Sequence, residues 1–216
     1  MKYKNIEINW LGHAGFKIKN KEKIIYIDPF QLNSSYEKAD IIFITHPHYD
    51  HCSIEDIKKI IKSETIVVST SDINSKLRKV NDNLNIKLVE PNQEFNINGI
   101  KVKTIQSYNI GKEFHPKNNF WLGYIIDFDG VRVYHSGDTD IIPEMNTVKT
   151  DVALLPVGGT YTLDSFEAVK VAEIIAPKLA IPMHYGSIVG TKNDAENFVN
   201  ECRKRGLNAE VLEKDD

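Results

Sequence analysis

The chain has 216 residues, 41% hydrophobic and 26% charged, with 27 Lys and Arg against 30 Asp and Glu for a formal charge of −3. This is ordinary for a soluble globular protein and long enough for one domain, 1–216, with a sizeable core, while the slight acidity disfavours a nucleic-acid binder, which normally presents a basic patch. No apolar run is long enough for a signal peptide or a membrane span, and Cys52 and Cys202 make no disulfide framework, so a reducing, cytoplasmic setting and no membrane partner are expected.

In chain order, three short strands are predicted at Ile6–Trp10, Phe16–Lys19 and Lys23–Ile27. Gly12-His13-Ala14-Gly15 interrupts the first two, and glycines flanking a histidine suggest close backbone approach; His13 is either a turn residue or part of a site. Asp28-Pro29 ends the third strand. Ile41–Thr45 is apolar and β-branched, and Ser53-Ile54-Glu55-Asp56 reads as a helix start, with Ile54, Ile57, Ile60 and Ile61 at helical spacing. A strand at Thr65–Ser69, a helix from about Asp72 to Val80 and a strand at Ile86–Val89 complete two α/β units. Lys58, Lys59 and Lys62 fall on the solvated side of the first helix.

Residues 94–107 alternate as a hairpin around Asn98-Gly99. A polar loop, Tyr108–Asn119, carries Asn109 and His115-Pro116 into a strand at Phe120–Phe128, and Asp129-Gly130 turns the chain into Val131–Tyr134. The remainder reads as a strand at Val152–Leu155, a Gly-rich turn, a helix at Asp164–Ala176, a strand at Leu179–Pro182, a helix at Asp194–Arg205 and a final strand at Asn208–Leu212.

The strand-to-helix loop at 45–53 concentrates His46, His48, Asp50 and His51 as H-x-H-x-D-H. Imidazole and carboxylate suit zinc and its first-row neighbours, and four such groups within six positions make ordinary solvated histidines improbable. Pro47 removes one backbone donor and holds His46 extended, which stiffens the turn. Further along, Ser136-Gly137-Asp138-Thr139 is a tight turn that projects a carboxylate able to span two cations, or else Asp138 caps a helix near Ile141. His184 follows an apolar strand. His135 shares a strand face with Val131 and Val133, as a core residue or as a donor to a carboxylate.

The H-x-H-x-D-H run resembles the metal-binding signature of the metallo-β-lactamase superfamily. The resemblance implies an α+β fold, a four-layer αββα sandwich with the metal site at one edge. It also implies that His46, His48 and His115 hold one metal and that Asp50, His51 and His184 hold a second, with Asp138 bridging; Asn109 is the alternative to His115. Asp28 would lie beneath the metal loop. Trp10–Phe16, Tyr134–Asp140, Leu154–Thr162 and Ile181–Gly186 look like the compact metal-dependent hydrolases related to ascorbate-6-phosphate lactonase. A class B β-lactamase would carry cysteine in place of Asp138, a flavodiiron protein glutamate in place of His48, and glyoxalase II or a β-CASP nuclease an added domain.

One or two divalent ions per chain are expected, zinc first, with manganese, iron, nickel or cobalt as alternatives. Two such ions can share a water, lower its pKa towards neutrality and hold hydroxide as a nucleophile. The expected reaction is hydrolysis of an ester, lactone or phosphodiester in a small anionic substrate, with Asp50 and His184 catalytic and His13, Thr160, Tyr161 and Tyr185 near the pocket. Gly158-Gly159 could offer backbone N–H groups to an anion. The alternatives are a phosphodiesterase or nuclease acting on nucleotides, RNA or phospholipid, and a metal-dependent binding module without turnover. Oligomeric state stays open, a homo-oligomer being common for small enzymes.

Overall fold

The computed structural model describes residues 1–33 and 36–215. They form two compact units, Met1–Glu90 joined by the C-terminal end from Glu213, and Pro91–Leu212.

The first unit holds a seven-stranded sheet in chain order: β1 Lys2–Tyr3, β2 Ile6–Gly12, β3 Gly15–Asn20, β4 Lys23–Ile27, β5 Ile41–Phe43, β6 Ile66–Ser69 and β7 Asn85–Leu88. Neighbours from β1 to β4 are antiparallel and those from β4 to β7 parallel. The change follows from connection length: Asn20–Lys23 is a tight turn, whereas β5, β6 and β7 are joined through helices that carry the chain back to the same end. These helices are α1 Ile54–Ile60, capped by the Ser53 side chain, and the short α2 Asn74–Arg78. Ile57, Ile60 and Leu77 pack with Leu11, Tyr26, Ile42 and Val67 in one buried cluster. The helix expected over 72–80 is shorter and opens with a 3-10 turn, Ser71–Ile73.

The second unit holds a six-stranded sheet in the order β13-β12-β11-β10-β9-β8. Its strands are β8 Glu94–Ile97, β9 Ile100–Gln106, β10 Leu122–Phe128, β11 Val131–His135, β12 Val152–Pro156 and β13 Leu179–Met183. The β8–β9 and β10–β11 hairpins turn at Asn98-Gly99 and Asp129-Gly130, all four residues at positive φ, as such tight turns require. Helices α3 Ser165–Ile175 and α4 Lys192–Lys204 pack together, each opened by a capping box, Asp164 with Glu167 and Thr191 with Asp194. The Thr191-x-x-Asp194 signal explains why α4 starts two residues before Asp194.

Two boundaries differ from expectation. Phe120 is not in a strand: at φ 54 it ends the turn Lys117–Asn119, and β10 begins at Leu122. The final strand expected at Asn208–Leu212 is a single bridge, Ala209 to Ala180. Ala180 N–H donates to Asn208 carbonyl and Ala180 carbonyl accepts from Glu210 N–H, but the next rung would need an N–H from Pro182, which has none.

The unit cores also bury both cysteines. Burial pushes the Cys52 and Cys202 thiols from an ordinary value of 9.0 up to about 12, with Lys76 partly opposing at Cys52 and Arg205 at Cys202. Above pH 9 an unfolded thiol releases a proton that the folded one keeps. Stability is therefore complete below pH 9 and is lost as pH rises towards 12, by about 1.4 kcal/mol per pH unit for each thiol. Urea unfolding from pH 8 to 10 is expected to show this slope, below the range where the raised Tyr26 and Tyr134 phenols add their own, and Cys52→Ala with Cys202→Ala to flatten it; an unchanged slope in the double variant would assign it elsewhere.

Candidate metal centre

In the first unit, the polar residues gather where β2, β4 and β5 end. Asp28 N–H bonds Phe43 carbonyl, so the residues following β4 and β5 lie side by side. Asp28 is fully buried, and its carboxylate accepts from Thr45 N–H (2.8 Å), Thr45 Oγ1 (2.6 Å) and His51 Nδ1 (2.7 Å). Thr45 spends its one hydroxyl proton on Asp28, so the same oxygen accepts from His46 Nδ1 at 2.9 Å. Both imidazoles thus carry their proton on Nδ1 and present Nε2 as a lone pair. His46 Nε2 lies 3.0 Å from His48 Nδ1, and His51 Nε2 lies 3.5 Å from Asp50 Oδ2. His13 Nε2 shares that Asp50 oxygen at 2.9 Å, and donor atoms of His13, Asp50 and His51 all fall within 4.8 Å of one another.

The donors are imidazole nitrogens and carboxylate oxygens that converge within 4.8 Å, and the rings of His46 and His51 are held from behind through Nδ1, so this His/Asp donor set fits a divalent metal. The loop is held from behind. His51 and Cys52 N–H both bond His48 carbonyl, and the Lys76 ammonium on α2 bonds Pro47 carbonyl. Buried Asp56 accepts from Gln31 N–H, Leu32 N–H, Ser53 Oγ and Lys59 Nζ, tying α1 to the segment after β4.

The second unit brings together His115, Asp138 and His184. Asp138 Oδ2 lies 3.3 Å from His115 Nε2 and 3.0 Å from His184 Nε2, all three side chains being at most 3% exposed. Asp138 follows β11 and His184 follows β13, at the same ends of parallel neighbours of β12. The helix near Ile141 is the short 3-10 helix Pro143–Thr147, whose N-cap is Ile142 with no side-chain cap, so Asp138 does not cap it; Asp138 carbonyl accepts from Ser107 Oγ at 2.7 Å. Asn109 lies against His115: its Oδ1 takes His115 N–H at 3.1 Å and faces His115 Nδ1 at 3.0 Å, while its Nδ2 donates to Tyr161 carbonyl at 2.9 Å. Buried His135 accepts Gly137 N–H on Nδ1 at 3.2 Å.

The pocket candidates divide. Tyr185 is buried, Tyr161 is half-buried with its ring edge on Phe114, and Thr160 is exposed. Gly159 cannot offer its N–H to an anion, because that group already bonds Leu163 carbonyl at 3.0 Å. Gly158 has a different use: a Cβ there would stand 2.5 Å from His184 carbonyl oxygen and 3.2 Å from its Nδ1.

Two residues with no place in the sequence reading hold the His115 loop. Asp140 accepts from Ile110 N–H (2.8 Å) and from Lys112 Nζ (2.6 Å), and Lys112 also bonds Thr162 carbonyl (2.7 Å). The second aspartate of Ser-Gly-Asp-Thr-Asp was the available signal, but its partners lie 28 to 30 positions away.

A sequence profile of the Beta-lactamase superfamily domain matches residues 7–184. The chain belongs to that superfamily, and its two mixed sheets with four helices are the metallo-β-lactamase fold. A UPF0173 metal-dependent hydrolase of Archaeoglobus fulgidus is 31% identical over 96% of this chain and 95% of its own. A UPF0173 protein of Pyrococcus abyssi is 36% identical over 93% and 92%. The chain is a metal-dependent hydrolase of this superfamily. A crystal structure from Parabacteroides distasonis covers 97% of this chain and 94% of its own at TM-score 0.86 and 29% identity. A metallo hydrolase of Ignicoccus hospitalis, at TM-score 0.81 and 23% identity over 98% and 96%, shares the fold. Among the described residues no helix is long and apolar enough to cross a membrane.

Proposed function

We propose that the chain hydrolyses an ester, lactone or phosphodiester bond in a small anionic molecule, as a member of the branch related to ascorbate-6-phosphate lactonase. One or two divalent ions, zinc first, would be held as the resemblance implies: His46, His48 and His115 for one, Asp50, His51 and His184 for the other, Asp138 bridging. The observation that carries this reading is the fixed tautomer of His46, whose Nδ1 is tied to Thr45 while its Nε2 faces His48 Nδ1 at 3.0 Å.

When bound, such ions supply Lewis acidity towards the substrate oxygen and lower the pKa of a coordinated water. The protein's own groups do the rest. Asp50 Oδ2, shared by His13 at 2.9 Å and facing His51 at 3.5 Å, is placed to accept a proton from an attacking water. Asp28 and Thr45 keep His46 and His51 oriented without taking part in proton transfer. Asp138 Oδ2 faces both His115 Nε2 and His184 Nε2, so these three groups would share the charge of a bound ion.

Protein purified without added metal is expected to carry one to two zinc-like ions per chain by elemental analysis, and less in Asp138→Ala and His115→Ala. The loaded protein is expected to cleave at least one substrate in a panel of lactones, esters and phosphodiesters, and His48→Ala to abolish that cleavage. A metal-loaded protein that binds panel compounds without product over hours would overturn the reading in favour of a binding module.

A further inference from the structure

We propose that Asn109 is the positioning residue for His115 and sets which ring nitrogen that histidine presents, an inference that rests on His115 holding a metal. A carboxamide has two ends of nearly equal shape, but here its partners are unambiguous. His115 N–H can only donate, and it lies 3.1 Å from Oδ1; Tyr161 carbonyl can only accept, and it lies 2.9 Å from Nδ2. The amide oxygen therefore faces His115. That oxygen is also 3.0 Å from His115 Nδ1 and has no proton to give, so Nδ1 carries the hydrogen. In the neutral ring Nε2 is then the lone pair, and it is the atom that faces Asp138 Oδ2 at 3.3 Å.

One side chain thus fixes the backbone, the ring plane and the tautomer of His115. The need for such a clamp is visible in the loop. Asn109 N–H bonds His115 carbonyl at 2.8 Å, closing the segment on itself, while Ile110 and Phe114 within it are 57% and 44% exposed. The Trp121 ring packs against the imidazole at 5.5 Å between centroids and bounds it sterically, but an apolar wall does not select which nitrogen carries the proton. The Lys112–Asp140 pair anchors the middle of the loop. A group that orients a ligating histidine in this way typically changes metal affinity about 10- to 100-fold when removed.

The test compares wild type, Asn109→Asp, Asn109→Ala and His115→Ala, with zinc content and zinc affinity measured by chelator competition and folding checked by thermal unfolding. Nitrogen-15 NMR of the metal-free wild type is expected to show His115 protonated at Nδ1. Asn109→Ala is expected to mix the two tautomers and weaken zinc binding about 10- to 100-fold. Asn109→Asp keeps an acceptor oxygen and is expected to restore the tautomer, with zinc affinity closer to wild type than to Asn109→Ala. A wild-type ring protonated at Nε2 overturns the proposal however the variants fold. Equal zinc affinity in wild type and Asn109→Ala overturns it too, as does equal weakness in Asn109→Ala and Asn109→Asp, which would assign the effect to the Tyr161 tether. Wild-type zinc binding in His115→Ala would instead remove the reading on which it rests.

Discussion

Asp28→Asn is expected to fold normally and lose most of its metal and activity. Position 28 has φ 45, a conformation that asparagine adopts readily, so the backbone tolerates the change. The hydrogen bonds do not. Oδ1 takes Thr45 N–H, and Oδ2 takes both Thr45 Oγ1 and His51 Nδ1. An amide has one acceptor end, and the Thr45 backbone N–H can only donate, so the amide oxygen goes there and the NH2 turns towards His51. His51 must then accept on Nδ1 and move its proton to Nε2, the nitrogen that faces Asp50. Metal affinity is expected to fall about 10- to 100-fold and turnover by up to about 10^4, the size seen when a histidine is held in its wrong tautomer. Asp28→Ala is a different lesion. It leaves three donors in a fully buried site without an acceptor and is expected to cost about 3–5 kcal/mol, read as a lower urea midpoint. Normal zinc content and turnover in Asp28→Asn would show that Asp28 does not govern the His51 proton.

Gly158→Ala carries the second large effect. The new methyl would meet His184 carbonyl oxygen at 2.5 Å and His184 Nδ1 at 3.2 Å, with Val189 on its far side at 3.5 Å. The surroundings are already tight, because a Cβ built on Gly190 would stand 2.9 Å from Gly158 Cα and 3.0 Å from Tyr185 Cβ. His184 must move. Overpacking of this kind costs about 1–3 kcal/mol, and a displacement near 1 Å at a catalytic side chain costs about 100-fold in rate. Gly159→Ala is the matched control. Its nearest neighbour, Asp164 Cβ, is 3.5 Å away, but its φ is 82, so it is expected to lose about 1 kcal/mol of stability and keep its metal. If Gly158→Ala retained full zinc and turnover, His184 would not be held by that contact.

Much of this was legible in the chain because the informative signals are local. β5 is buried at all three positions, as its unbroken Ile41-Ile42-Phe43 run suggested, and the first of the histidines, His46, follows it three residues on. Asn98-Gly99 and Asp129-Gly130 announced their hairpins through the one conformation such turns require. What stayed hidden depends on contacts far apart in sequence. Asp56 reads as a helix-start acid, yet its carboxylate holds Gln31 and Leu32 from 24 to 25 positions away. Lys112 looks like a solvated loop lysine until Asp140 and Thr162 enclose it. Asn109 was visible only as a rival to His115, because composition cannot show that an amide oxygen faces a backbone N–H six positions on. The missing last strand was foreshadowed by Pro182, whose lack of an N–H stops the ladder.

His13, Asp28 and His184 have φ values of 50, 45 and 60, the left-handed region that side chains with a Cβ occupy at a cost of about 1–2 kcal/mol each. Each would be more comfortable as glycine or asparagine. Three positions that carry the candidate chemistry are thus, like Phe120 and Ala176, places where the backbone would gain by a change of residue. Drift under pressure for thermal robustness alone would erase function first at these three turns and leave the sheets untouched. A lineage that keeps histidine or aspartate there is being held to its catalytic task against the preference of its own backbone.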